Sequence, residues 1–122
     1  MGGHAIGEAL EHSNYLENIY AKHNDMRDES AKVIADGIKA GFKIVRLDLS
    51  SNLFNDAGGE LIAEALKDDK SLQYLNLAKN NLRAVSGSLF AENIKSNHTI
   101  KVLNLSDNCI TNDFLSKIAI HI

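Results

Sequence analysis

The side chains of this sequence that could bind a metal ion or act as a nucleophile do not form a known catalytic pattern. No cysteine stands at metal-ligand spacing from a histidine, and no activating base lies beside the single cysteine, Cys109. The motifs HExxH, GxxxxGK[ST], GxSxG and GxGxxG do not occur. The five histidines stand at unrelated intervals: His4, His12, His23, His98 and His121. We therefore predict that the protein is not an enzyme and uses no cofactor or metal.

A second set of polar side chains is strictly periodic. Asn24, Asn52, Asn80 and Asn108 follow one another at intervals of 28 residues. An amide side chain can donate and accept hydrogen bonds at once, and buried backbone groups that no strand pairs need such partners. We interpret these asparagines as a structural ladder between adjacent turns of a repeated unit, and not as ligands.

The apolar residues share the period of the asparagines. The motif LxxLxLxxN occurs four times, and Ile44, Leu47 and Leu49 illustrate it before Asn52. The second half of each unit is amphipathic, with apolar residues at i, i+1 and i+5 in residues 33–38, 61–66 and 89–94. The pattern predicts a short strand through the leucines and a helix after each asparagine.

The motif LxxLxLxxN followed by a helix, in a 28-residue period, resembles the ribonuclease-inhibitor-like subclass of leucine-rich-repeat proteins. This resemblance covers about the whole chain. It implies an α/β solenoid, a right-handed βα superhelix with parallel strands on the concave face and helices on the convex face. Helices are about 10 Å wide whereas paired strands lie about 4.8 Å apart, so such a stack must curve.

We expect one leucine-rich-repeat domain over residues 1–122. Its predicted parts are the helix of a partial first repeat at 1–15, full repeats at 16–43, 44–71 and 72–99, and a partial last repeat at 100–122. Neither end has the polar outer face of a terminal solenoid repeat. The sequence therefore suggests a fragment of a longer array, or a unit that associates with itself by burying Ile6, Leu10, Ile118 and Ile122.

The candidate binding residues lie at the outward positions of the predicted strands. Because side chains alternate along a strand, Arg46, Asp48 and Ser50 are expected to point away from the core. Three columns of such residues are predicted across the repeats: Asn18, Arg46, Tyr74 and Val102; Tyr20, Asp48, Asn76 and Asn104; and Lys22, Ser50, Ala78 and Ser106. Tyrosine and arginine are enriched at binding hot spots.

From these columns we select a protein-binding site on the concave face. It consists of Tyr20, Arg46, Asp48, Tyr74, Asn76, Val102 and Asn104. The alternative interpretation is that these are solvated strand residues, with Arg46 packed on Tyr74 through a cation–π contact.

Composition narrows the choice of partners. The 122 residues are 44% hydrophobic and 24% charged, with a net charge of −3, which disfavours nucleic acid as a partner. The sequence has neither a signal peptide nor an apolar run long enough to span a membrane. A single cysteine forms no internal disulfide. A cytoplasmic location without membrane contact is therefore expected. The glycosylation sequon at Asn97 is then expected to be unused, because a protein without a signal peptide does not meet the glycosylation machinery.

Three functions are compatible with these features. The favoured hypothesis is a module that binds a protein partner through its concave face. A similarity to Ran GTPase-activating proteins implies an alternative, a regulator of a small GTPase, for which Arg83 is the nominated residue. The third possibility is a self-associating structural unit, which forms a homo-oligomer through its exposed repeat ends.

Overall fold

The computed structural model describes residues 18–41 and 43–110. Strands and helices alternate along them in an unbroken βα order. The elements are β1 (Asn18–Tyr20), α1 (Asp28–Lys39), β2 (Arg46–Asp48), α2 (Asp56–Leu66), β3 (Tyr74–Asn76), α3 (Ala84–Ile94) and β4 (Val102–Asn104).

The strands form one parallel sheet in the order β1-β2-β3-β4. The register places each residue beside the one 28 positions further on, so that Leu47 pairs with Leu75 and Leu75 with Leu103. A parallel pair requires a crossover between its strands, and here each crossover is a single helix. The described structure thus has one strand and one helix per period, as the periodicity predicts.

The core lies between the sheet and the layer of helices. In β2, β3 and β4 the central leucine and the leucine two residues later are buried, for example Leu47 and Leu49, whereas Ile19 at the centre of β1 is partly buried. The helices contribute buried residues such as Ile34, Ile62 and Phe90 to the same cluster. Burial of each of these side chains stabilises the fold by about 1.5–3 kcal/mol.

Small residues at the starts of α2 and α3 allow each helix to pack closely against the next repeat. A Cβ atom added to Gly59 would lie 2.6 Å from the Cβ of Ser86 and 2.7 Å from a methyl carbon of Leu82. One added to Gly87 would lie 2.6 Å from a methyl carbon of Ile110. All three distances are too short for a Cβ atom unless the neighbouring side chain moves. The small residues that the sequence has at these helix starts are therefore required by the contact between successive repeats.

Several sequence-based predictions lie outside the described residues. They concern the helix at 1–15, the end of the last repeat beyond Ile110, and the proposed self-association through Ile6, Leu10, Ile118 and Ile122. Three of the histidines, His4, His12 and His121, also fall there. Within the described part of the chain, no helix is both long and apolar enough to cross a membrane.

Candidate functional site

The outward side of the sheet, which we call the strand face, carries the first and third residues of each strand. The first residues form a row across neighbouring strands, in which Asn18 pairs with Arg46, Arg46 with Tyr74, and Tyr74 with Val102. Neighbouring strands lie about 4.8 Å apart. The row therefore brings two of the predicted site residues, Arg46 and Tyr74, into direct contact and places Val102 beside them.

The Arg46 guanidinium lies over the Tyr74 ring, 5.7 Å from its centroid. Such a cation–π contact contributes about 0.5–1 kcal/mol at an exposed site. The Tyr74 hydroxyl accepts a long hydrogen bond, 3.5 Å, from Nδ2 of Asn76. No carboxylate pairs with Arg46 within residues 18–41 and 43–110. The guanidinium is thus held in place by an aromatic ring while its charge stays available to a ligand.

Two apolar side chains of the strand face are open to solvent. Tyr20 is 68% exposed and Val102 is 37% exposed. They lie on the outermost strands of the described sheet, on either side of the Arg46–Tyr74 pair. The strand face therefore combines a cation, two tyrosines and a valine, a composition that favours contact with a protein.

The third residues of β2, β3 and β4 are held by hydrogen bonds that their sequence positions do not indicate. Oδ1 of Asp48 accepts hydrogen bonds from the Ser50 N–H at 3.0 Å and the Ser50 hydroxyl at 2.7 Å. Asn76 accepts from the N–H of Ala78, and Asn104 from that of Ser106. Each side chain bonds to the backbone two residues ahead, a local turn that these residue types favour. Asp48, Asn76 and Asn104 therefore have a structural role at their Oδ1 atoms.

The prediction that the next outward column is open is wrong for two of its members. Ser50 is only 4% exposed and Ala78 is also buried, whereas Lys22 and Ser106 are exposed. The alternation of a strand does not extend to these positions because each strand has only three residues and the chain then turns. The strand face is consequently narrower than the sequence columns suggest.

The asparagines connect adjacent turns through their side chains. Oδ1 of Asn52 accepts from the N–H groups of Asn24 and Met26, and its Nδ2 donates to the carbonyls of Ala21, Leu49 and Ser50 at 2.9–3.1 Å. Asn80 and Asn108 make four of these five bonds one and two repeats later, the ones equivalent to those of Asn52 with Met26, Ala21, Leu49 and Ser50. Asn24 is exposed and enters this network through its backbone N–H.

The residue before each asparagine has a left-handed backbone. His23, Ser51, Lys79 and Asp107 have φ values between 55° and 60°. This conformation is unfavourable for residues other than glycine, asparagine and aspartate. The bonds made by the asparagine side chains hold the turn in this conformation. These four residues, at the strand ends, are thus part of the turn.

A second polar connection between repeats, which was not predicted from the sequence, lies at the helix N-termini. Oδ1 of Asp28 accepts from the Asn55 N–H at 2.8 Å. One repeat later, Oδ1 of Asp56 accepts from the N–H of Arg83 at 2.7 Å and from the N–H and hydroxyl of Ser86. The 28-residue spacing of the two aspartates was the available signal. The series ends at Ala84, which has no acceptor side chain.

The bonds to Asp56 change its acidity. Partial burial by itself raises the pKa of Asp56, but the hydrogen bonds from the Ser86 hydroxyl and from the N–H groups of Arg83, Ser86 and Val85 favour the charged form more strongly. The pKa of Asp56 is therefore held below its ordinary value. This aspartate fixes the next helix start and is not placed for acid–base chemistry.

The remaining candidates for chemistry are separated from one another. No group of three histidine, cysteine or acidic side chains within residues 18–41 and 43–110 is close enough to hold a metal ion. Cys109 is an exposed free thiol whose backbone N–H donates to the Leu82 carbonyl. The sequon residue Asn97 is buried, and its Nδ2 donates to the Leu66 carbonyl at 2.8 Å. That amide nitrogen is thus engaged inside the fold.

Comparison with known proteins identifies the repeat. Two family profiles match, one described as "Leucine Rich repeat" over residues 42–63 and 96–119, the other as "Leucine Rich Repeat" over residues 71–95. The chain is a leucine-rich-repeat protein. Its parallel strands and alternating helices are those of an α/β leucine-rich-repeat solenoid, so the predicted fold class is confirmed.

A solved leucine-rich-repeat structure gives the same fold. Actin-binding site 2 of leiomodin-1 superposes with a TM-score of 0.80 at 16% sequence identity, over 93% of this chain and 68% of that one. An identity this low shows the fold alone. No curated protein sequence matches the chain. Leucine-rich repeats generally mediate protein–protein interaction, and the strand face is the candidate surface for it in this chain.

Proposed function

We propose that this leucine-rich-repeat chain is a module that binds a protein partner through its concave strand face. The observation that supports this most strongly is the Arg46 guanidinium over the Tyr74 ring, 5.7 Å from its centroid, without a carboxylate partner in the described residues. Tyr20 and Val102 extend the surface on both sides. Preordered arginine and tyrosine side chains lose little conformational entropy when a partner binds.

The chemistry of the strand face indicates the kind of partner. A carboxylate of the partner would pair with Arg46, and an apolar or aromatic group beside it would cover Tyr20 or Val102. Arginine makes two parallel hydrogen bonds to a carboxylate, which adds direction to the contact. We therefore propose a partner segment with an acidic residue next to an apolar one, and no catalytic step at this surface.

The structural neighbour suggests the first partner to test. The leiomodin-1 segment is described as an actin-binding site, and actin is for this reason the first protein to offer to the chain. Co-sedimentation with actin measures the interaction directly. Binding that depends on Arg46 and Tyr74 would identify actin as a partner, whereas no co-sedimentation would direct the search to other proteins.

The test of the proposal itself is affinity capture with three immobilised forms of the chain. These are the unaltered protein, the double variant Arg46→Ala with Tyr74→Ala, and a control in which the exposed Lys67 and Lys70 of the loop after α2 are replaced by alanine. We expect the first and third forms to capture the same protein and the double variant to lose it. Equal capture by all three would move the binding site away from the strand face.

Two alternative functions can be tested separately. Arg83 is exposed at the start of α3, where a regulator of a small GTPase could present an arginine to the nucleotide. Faster GTP hydrolysis with the chain present, lost on Arg83→Ala, would favour that function. A mass that rises with protein concentration in sedimentation would favour the self-associating unit.

The finer assignments from the sequence belong to the same proposal. They are the ribonuclease-inhibitor-like subclass, the repeat boundaries at 16–43, 44–71, 72–99 and 100–122, and a cytoplasmic location without nucleic-acid or membrane partners. The 28-residue period and helices of 11 or 12 residues support the subclass. The free thiol of Cys109 is compatible with a reducing compartment.

A further inference from the structure

The outer side of the helices carries an apolar groove that the strand-face function does not use. Ala57, Glu60, Leu61 and Glu64 of α2 line a depression together with Leu89 of α3. Leu61 and Leu89 pack against the core but are only partly buried. We call this depression, together with Val85, the α2–α3 groove.

Val85 extends the groove along α3. It is 52% exposed and lies four residues before Leu89, hence one turn earlier on the same side of the helix. A single exposed valine is ordinary on a protein surface. Here it lies one turn before Leu89 and one 28-residue period after Ala57, both of which line the depression, so the apolar surface extends along α3 beyond the floor of the groove.

The charged side chains that line the groove are acidic. Glu60 and Glu64 line it, and Glu92 follows Leu89 by three residues on α3. Within the described part of the chain, no ion pair joins any of these glutamates to a basic side chain. The groove therefore has an apolar floor bordered by glutamates that form no ion pair within the described residues.

The neighbouring pair of helices provides an internal comparison. At the positions of Ala57, Glu60 and Glu64, helix α1 has Glu29, Lys32 and Asp36. Lys32 and Asp36 form an ion pair at 3.0 Å, so the charges of α1 are compensated within that helix. The apolar surface with an acidic border is thus specific to the α2–α3 pair and does not follow from the repeat itself.

We infer that the α2–α3 groove binds the apolar face of an amphipathic helix whose flanks carry lysine or arginine. Apolar residues spaced three and four apart on such a helix would cover Val85, Leu61 and Leu89. Its basic flanks would pair with Glu60, Glu64 and Glu92. A second copy of this chain fits less well because its net charge is −3 and its outer helix face has the same acidic row.

The experiment measures fluorescence anisotropy with two labelled helical peptides of about 18 residues, which span about five turns. Both have the same leucine stripe, and one carries lysine where the other carries glutamate. We expect the basic peptide to bind and the acidic one not to bind. Val85→Glu is expected to weaken binding of the basic peptide about tenfold, the effect of losing the burial of one valine.

Matched variants separate the groove from general charge and folding effects. Ala84→Glu adds the same charge one residue earlier, at an exposed position outside the groove, and is expected to leave the affinity unchanged. Replacing Glu60, Glu64 and Glu92 by glutamine is expected to abolish the preference for the basic peptide. The strand-face variant Arg46→Ala with Tyr74→Ala is expected to bind the peptide normally, so failure of the strand-face proposal would not imply failure of this one.

Three results would overturn the inference. They are equal binding of both peptides, an affinity unaffected by Val85→Glu, and sedimentation showing that a second copy of the chain already occupies the groove of the unaltered protein. Circular dichroism of every variant establishes that it is folded before its affinity is compared.

Discussion

The turn after each strand and the strand face are separated by only a few residues, yet they differ in how their residues vary from repeat to repeat. In the turns the same residue type returns every 28 positions, and Asn52 and Asn80 make nearly the same hydrogen bonds to the backbone. In the first row of the strand face the residue changes in every repeat, from asparagine to arginine, tyrosine and valine.

This difference separates structural residues from contact residues. A turn must satisfy the same backbone groups in each repeat, so its side chain is the same each time. The side chain at the first strand position projects to solvent, so the fold does not require one residue type there. Its identity can therefore differ between repeats and contribute to recognition of a partner. The third strand position includes both kinds of residue. Asp48, Asn76 and Asn104 bond to the backbone, whereas the side chain of Tyr20 is exposed to solvent.

The largest expected effect is on the turns. Asn80→Ala removes the acceptor of the buried Phe54 N–H. It also removes one of the two asparagine donors to each of the Leu49 and Leu77 carbonyls, which keep their bonds from Asn52 and Asn108. We expect the free energy of unfolding to fall by about 3 kcal/mol, since the unsatisfied N–H costs about 1–3 kcal/mol and each lost bond to a carbonyl about 0.5–1.5 kcal/mol. Urea denaturation measures this. Asn81→Ala, at the exposed neighbouring position, is the control, and equal stability of the two variants would contradict the structural ladder.

The next effect concerns the contact between helices. Gly59→Ala places a methyl group 2.6 Å from the Cβ of Ser86, so the two repeats must move apart. Alanine is normally the better helix former, but overpacking costs about 1–3 kcal/mol, and we expect a net loss of about 2 kcal/mol. Thermal unfolding measures it, with Ser88→Ala at an exposed helix position as control. A gain in melting temperature for Gly59→Ala would show that the helices are not closely packed there.

A smaller effect is expected at Asp56. Asp56→Ala removes the hydrogen bonds to Arg83 and Ser86 and is expected to lower the free energy of unfolding by about 1.5 kcal/mol near neutral pH. Asp28→Ala removes one bond, to Asn55, and is expected to have a smaller effect. The pKa of Asp56 is lowered in the folded state, so its stabilising contribution is complete above the unfolded-state pKa and disappears as the pH falls through the folded-state pKa.

Urea denaturation at a series of pH values tests this sign. The difference in stability between the unaltered protein and Asp56→Ala is expected to shrink on acidification below about pH 5. A difference that grows toward low pH would mean that Asp56 is stabilised in its protonated form, contrary to the hydrogen bonds it accepts.

The smallest effect on stability is expected at the strand face. Arg46→Ala with Tyr74→Ala removes an exposed cation–π contact and a long hydrogen bond, and the expected loss of folding free energy is at most about 1 kcal/mol. Thermal unfolding measures it. A loss as large as that of Asn80→Ala would mean that the pair has a structural role and would remove the contrast between the two regions.

Sequence periodicity was sufficient to predict the fold because each repeat has the same hydrophobic requirement. The buried leucines Leu47, Leu75 and Leu103 and the asparagines stand at a fixed interval, and a parallel register follows from it. The connection from Asp28 to Asn55 was missed because it occurs in only two repeats and ends at Ala84.

The strand face was only partly predictable. Arg46 and Tyr74 were correctly placed side by side, since adjacent strands in register bring together residues one period apart. The burial of Ser50 and Ala78 was not predicted because strict alternation was applied beyond the three-residue strands. The bonds from Asp48 to Ser50 depend on how the chain turns after the strand, which the strand pattern does not specify.

The most direct test of the division between structural and contact residues measures stability and partner affinity together for two variants. Against the protein captured by the unaltered chain, Asn80→Ala is expected to have a melting temperature lower by about 10 °C but nearly normal affinity when assayed well below that temperature. Arg46→Ala with Tyr74→Ala is expected to melt almost normally and to bind at least about tenfold more weakly. Normal affinity in the second variant, or lost affinity in a folded Asn80→Ala, would contradict the account.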